Sequence, residues 1–152
     1  MLDLYDELTK LIAALESASI EYAVCGGIAM AIWQFPRTTV DIDLLIEETS
    51  VDAVEGVALG LGYTFKARPM NFANGAMRIR RVSKIDSDSG DVLVLDLLLV
   101  TPELEDVWHE RTRVEWEHGS IAVVSRRGLA KLKRFRSSGR DLDDIALLES
   151  DG

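Results

Sequence analysis

Two aspartates one residue apart, Asp41 and Asp43, lie in the β-branched run Thr38–Ile46 (TTVDIDLLI), which reads as a strand. Side chains alternate across a strand, so both carboxylates project from one face, about 7 Å apart. Val40, Ile42 and Leu44 then point the other way, into the core. Two carboxylates on one face repel each other and resist burial. A hard divalent cation removes that repulsion, and Mg²⁺ prefers one or two carboxylates together with substrate phosphates. The competing reading is a face that is simply wet. A third acid, Asp96, sits inside VLVLDLLLV. An ionised carboxylate among Val and Leu is costly unless it is paired or metal-bound. A metal, a buried salt bridge to an arginine, and a strand with an open polar face are the three ways to place it. Three carboxylates on two neighbouring strands can hold two metal ions, one activating a hydroxyl and the other bridging phosphates.

Other residues could serve a phosphate ligand. Gly26 and Gly27 fall between the apolar run IEYAVC and a helical segment. Glycine lets backbone approach a ligand closely, and a helix start offers free N–H groups to phosphate; a tight structural turn explains the pair equally well. The pair is neither a dinucleotide fingerprint nor a P-loop, because GxGxxG and Gly-Lys-Ser/Thr are both absent. Arg37 is a phosphate clamp or a solvent-facing arginine. Lys133 reaches a phosphate or snorkels from the apolar edge of its helix. Arg140 contacts nucleotide or pairs with Asp143 or Asp144.

The elements that must position these residues follow from periodicity and punctuation. Leu4, Leu8, Leu11, Ile12 and Leu15 have helical spacing. Ile20 to Cys25 is a strand, the segment from Gly27 to Phe35 a helix of about two turns, and Pro36 its end. Ser50 is placed to cap a helix carrying Val51, Val54 and Leu61, closed by Gly60 and Gly62. Tyr63 to Ala67, Met77 to Ile85 and Asp91 to Val100 are strands, the last two joined by the turn Asp86 to Gly90. Pro102 opens a short helix through Trp108. His118-Gly119-Ser120 joins two hairpin strands. Ser125 caps a helix with Leu129, Leu132 and Phe135, stopped by Gly139, and a final short helix carries Leu142, Ile145 and Leu148. The order predicts a mixed α/β (α+β) sheet flanked by helices. We read one domain over 1–152, with a core at about 20–124 and a helical C-terminal segment at about 125–150.

Composition bounds the function. The chain has 152 residues, 47% hydrophobic, and a net charge of −9, which argues against a generic nucleic-acid coat. The charge is uneven, with six of the 17 basic residues between Lys66 and Lys84 and seven between Arg126 and Arg140. Two such runs could bind a compact polyanion or could be solvated faces. The single cysteine, Cys25, excludes an intramolecular disulfide and a cysteine-based zinc site, and reads as a small buried hydrophobe. His109 and His118 lack ligand spacing, DSDSGD departs from a calcium loop, and the three tryptophans read as packing anchors. No membrane span and no signal-like start is present, so a cytoplasmic protein is expected.

Taken together, CGGIAMAIWQFPRTTVDIDLLIE and LVLDLLLV resemble the DNA polymerase β-like nucleotidyltransferase superfamily. The shared pattern is a glycine pair opening a helix, an Asp-x-Asp strand about a dozen residues on, and a third Asp on a neighbouring strand. Arg37 and Thr39 match the form of small bacterial members. GLAKLKRFRSSGRDLDDIALLE resembles the end of the abortive-infection and toxin–antitoxin types. The resemblance covers residues 20 to 148. It implies a nucleotidyltransferase-like fold and a Mg²⁺-dependent enzyme (Mn²⁺ as the alternative ion) that moves a nucleoside monophosphate from an NTP to a hydroxyl of RNA, protein or a small molecule. Asp41, Asp43 and Asp96 would be the catalytic metal ligands, and Gly26, Gly27, Arg37, Lys133 and Arg140 the nucleotide contacts, with Asp144 carried over beside Lys133. A tRNA acceptor and a cognate antitoxin are the macromolecular partners implied. Gly27 stands where many active members have Ser, which leaves the phosphate grip to backbone N–H groups. A non-catalytic nucleotide-binding or toxin–antitoxin module on the same fold is the alternative.

Overall fold

The computed structural model describes residues 2–35, 38–116, 119–136 and 139–150. Helix α1 (Leu4–Ser17) opens on Asp3, whose carboxylate accepts from the Asp6 N–H, and buries Leu8, Leu11, Ile12 and Leu15. Strand β1 (Ala23–Cys25) runs directly into α2 (Gly26–Ile32). Strand β2 (Asp41–Ile46) and a 3₁₀ turn lead to α3 (Val51–Gly60). Four strands follow: β3 (Phe65–Lys66), β4 (Met70–Phe72), β5 (Met77–Ile85) and β6 (Val92–Leu99). After α4 (Glu105–His109), β7 (Thr112–Trp116) and β8 (Gly119–Val123) form a hairpin, and α5 (Arg126–Arg136) and α6 (Gly139–Ser150) complete the order.

Among the described residues eight strands form one mixed sheet in the order β3-β5-β6-β2-β1-β8-β7, with β4 also on β5. β2 pairs parallel to β6 and β1 parallel to β8; the other pairs are antiparallel. A continuous apolar cluster runs from Leu8 of α1 through Ile42, Leu44 and Leu97 to Leu148 of α6. Among the described residues no helix is long and apolar enough to cross a membrane.

Several local expectations are corrected. The strand expected from Thr38 starts at Asp41, and Val40 is 68% exposed rather than in the core, because it precedes the first ladder pair. Similarly, β1 begins at Ala23, not Ile20. Ser50 precedes α3 without making a side-chain cap, whereas Ser125 Oγ accepts from the Gly128 N–H at 3.0 Å. The expected strand at Tyr63–Ala67 shrinks to two residues, and β4 was not foreseen because three residues after Pro69 carry too short a pattern. Gly119 and Ser120 belong to β8 instead of the turn, and Gly139 opens α6.

Candidate active site

The strand register assembles the acids. Asp43 pairs with Asp96 across the parallel β2–β6 ladder, and Asp41 with Val94. Paired residues on neighbouring strands share a face, about 4.8 Å apart, so Asp41, Asp43 and Asp96 lie on one side of the sheet. The row extends both ways, since Cys25 pairs with Asp43 and Arg81 with Asp96. Cys25, Asp43, Asp96 and Arg81 thus cross four strands in one line. One row deeper on the same face stand Ala23, Leu45, Leu98 and Ile79, all buried. The acids therefore lie at the rim of the core.

Two of the acids have opposite surroundings. Asp96 is 4% exposed, and both its oxygens are taken by Arg81, whose Nε donates at 2.7 Å and Nη2 at 2.9 Å. Of the three ways to place an acid in that strand, the structure realises the salt bridge to an arginine. Asp43 makes no hydrogen bond or ion pair among the described residues. Burial first, then the Asp96 and Asp41 charges, push its carboxyl up to about 7, while Arg136 and Lys133 pull it down. Asp41 is raised for the same reasons, burial ahead of Asp96. Burial also raises the Cys25 thiol, in keeping with an inert packing role.

Gly26 explains itself through Asp43. Its φ is +68°, and a Cβ there would collide with the Asp43 carboxylate. Only glycine accepts both the backbone and the carboxylate. Trp33 holds the far end of α2 by donating its Nε1–H to the Val124 carbonyl at 2.9 Å. Gly27 lies in the first turn of α2.

Helix α5 covers the acid face from one side. Leu129, Leu132, Lys133 and Arg136 meet Cys25, Gly26, Asp43, Met77 and Leu98 around a cavity of about 20 Å³, room for a single water-sized group. Lys133 is buried, and its Nζ lies 2.9 Å from Asp144 Oδ2, so the two carried-over residues meet each other across α5 and α6. Arg37 lies outside the described residues, as does the side chain of Arg140.

Sequence reasoning missed Arg81 and Arg136. Hairpin counting could have found the first. Ile85 pairs with Val92 around the 86–91 turn, and four residues back along each strand lead to Arg81 and Asp96. Arg136 is exposed, lines the cavity beside Asp43 and forms no ion pair among the described residues. Most other cations of the two basic runs are spent internally. Lys66 pairs with Glu55, Arg78 with Glu48, Lys84 with Glu7, Lys131 with Asp106 and Arg134 with Glu149.

Whether these residues suit a divalent ion is decided acid by acid. Asp41 and Asp43 offer hard oxygen donors whose side chains form no ion pair among the described residues, which fits Mg²⁺. Asp96 does not fit while Arg81 holds both its oxygens. Accordingly, among the described residues no three His, Cys, Asp or Glu side chains are arranged to hold a metal ion.

No protein-family model matches the chain, and no curated protein sequence does. Solved structures match over nearly its whole length. The lincosamide antibiotic adenylyltransferase LnuA, with lincomycin bound, superposes with a TM-score of 0.59 at 14% identity, covering 95% of this chain and 96% of that one. ANT(2″)-Ia in complex with adenylyl-2″-tobramycin gives 0.63 at 11% identity, covering 95% and 86%. An antigenic nucleotidyltransferase-like protein of Paracoccidioides brasiliensis gives 0.52 at 18% identity, covering 94% and 75%. The chain has the nucleotidyltransferase fold.

Proposed function

We propose that the protein transfers a nucleoside monophosphate from an NTP to a hydroxyl acceptor. The observation that carries this reading is Asp43. It is a partly buried carboxylate with acids on two sides and a glycine backbone against it, and it has no partner among the described residues. Such a group is costly unless a cation completes it. Asp41 and Asp43 are the residues that would hold Mg²⁺ (or Mn²⁺). When bound, that ion neutralises phosphate charge and lowers the pKa of an acceptor hydroxyl. The hydroxyl oxygen bonds to the α-phosphorus, the bond from that phosphorus to the bridging oxygen breaks, pyrophosphate leaves with that electron pair, and the hydroxyl proton passes to solvent water.

The chain's own side chains divide the remaining tasks. The cavity beside Asp43 is far too small for a nucleotide, which therefore lies outside it, toward the exposed Arg136. Arg136 is placed to balance phosphate charge; Arg37 and Arg140 are proposed for the same role from the sequence. Lys133 acts through Asp144, orienting α5 over the acids. Gly26 and Gly27 let backbone approach the phosphates. A small-molecule acceptor is favoured over tRNA or protein. Both basic runs are largely consumed by internal pairs, and two similar structures hold lincomycin and adenylylated tobramycin. We propose a cytoplasmic location, where NTPs are supplied.

The test is pyrophosphate release from each labelled NTP with Mg²⁺ and a panel of hydroxyl compounds. Release should depend on acceptor and fall roughly a hundredfold or more in Asp41→Asn and Asp43→Asn, because metal polarisation is worth several kcal/mol. The Arg81–Asp96 pair favours one second reading, a non-catalytic nucleotide-binding module or toxin–antitoxin partner. Saturable NTP binding with no pyrophosphate released under any condition would support it instead.

A further inference from the structure

We propose that Arg81 is a resident counter-ion that keeps Asp96 out of the cation site until a divalent ion displaces it. The inference rests on the reading of Asp41 and Asp43 as a cation site. Asp96 and Asp43 are register partners on one face, so Asp96 is placed to join an ion held by its neighbour. Its two oxygens are nevertheless both engaged, in the two-pronged geometry that makes arginine–carboxylate pairs strong. Arg81 and a divalent ion therefore compete for the same carboxylate.

The surroundings let Arg81 leave. Its side chain is 38% exposed, against 5% for that of Asp96. β3 pairs with β5 at Val82 and Ser83, and β4 at Met77 to Ile79; between them the Ala67 N–H still donates to the Arg81 carbonyl at 3.0 Å, which fixes the Arg81 backbone and leaves its side chain to the sheet face. The intervening residues 67–69 are exposed. The partly exposed Arg81 side chain can swing toward solvent while its backbone stays in the sheet, whereas Asp96 is fixed by burial. The site consequently has two arrangements. In the first, Asp41 and Asp43 face a cation alone. In the second, Asp96 has exchanged Arg81 for the shared cation. Arg81 is in this sense a positioning residue, acting through Asp96.

Mn²⁺ binding read by electron paramagnetic resonance, on the full chain without nucleotide, separates the outcomes. Arg81→Gln should bind Mn²⁺ roughly tenfold more tightly than the unaltered protein, the ratio set by removing a competing charge-assisted pair. Asp96→Asn in the Arg81→Gln background should return the affinity to the starting value. Arg81→Lys keeps the charge but loses the two-pronged grip, and should fall between; it serves as the readout if Arg81→Gln does not fold. A merely structural Arg81 would leave the affinity unchanged or weaken it. If Asp43→Asn abolishes Mn²⁺ binding while neither Arg81 variant strengthens it, the counter-ion role is overturned and the cation site stands. If no variant binds Mn²⁺ at all, both fall.

Discussion

Asp43 has an electrostatic burden that Arg136 and Lys133 relieve only in part. Its carboxyl is raised from 3.8 to about 7, so between those values the folded chain binds a proton that the unfolded chain has lost. Stability therefore declines as pH climbs from about 4 to about 7, and the full penalty is present above that. Asp43→Asn should then stabilise the metal-free protein at pH 8 by on the order of 2–4 kcal/mol and change little at pH 4. Thermal unfolding in chelator at the two values checks this; equal effects at both would contradict it. Gly26 adds a steric counterpart. Gly26→Ala meets both a positive φ and the Asp43 carboxylate, and should cost roughly 2 kcal/mol or more in urea unfolding. That Asp41 and Asp43 share a face was legible from the two-residue period of a strand. That Asp43 stands unpartnered among the described residues while Asp96 is saturated was not, because it depends on which residue a neighbouring strand places opposite each acid.

At the level of elements, the α5–α6 pair is pinned by a buried charge rather than by apolar contacts alone. Lys133 and Asp144 are 9% and 1% exposed at their side chains. Removing the ammonium takes from a buried carboxylate the cation 2.9 Å away, so Lys133→Met should cost about 3–5 kcal/mol. Adding Asp144→Leu should restore most of that loss, which a double-mutant cycle would measure. A Lys133→Met protein of full stability that binds NTP poorly would instead make Lys133 a direct phosphate ligand. The helices and long strands were readable because periodicity, caps and turn residues agreed over many positions, as in α1, β5 and β6. The short strands β3 and β4 were not, since two or three residues carry no period and form only because β5 offers an edge to pair with.

For the whole molecule, the apolar cluster joining α1, the sheet and α6 ties the site face to the rest of the chain. The C-terminal helices should not melt separately. Far-UV circular dichroism and tryptophan fluorescence, reporting on Trp33, Trp108 and Trp116, should give coincident urea transitions; an early fluorescence-silent loss of helix would contradict this. The mixed sheet was predictable from the order of elements; that the Asp96 strand neighbours the Asp41–Asp43 strand came only through the family resemblance, and the parallel sense of the β2–β6 ladder had no local signal at all. That ladder is what brings Asp43 to Asp96. The most direct test of the account is a crystal structure with Mn²⁺ and a non-hydrolysable NTP. We predict anomalous density within coordination distance of the Asp41 and Asp43 carboxylates, with the triphosphate running toward Arg136. Nucleotide bound elsewhere, in the groove lined by Glu16, Tyr22 and Arg113 for instance, with no metal on β2, would contradict it.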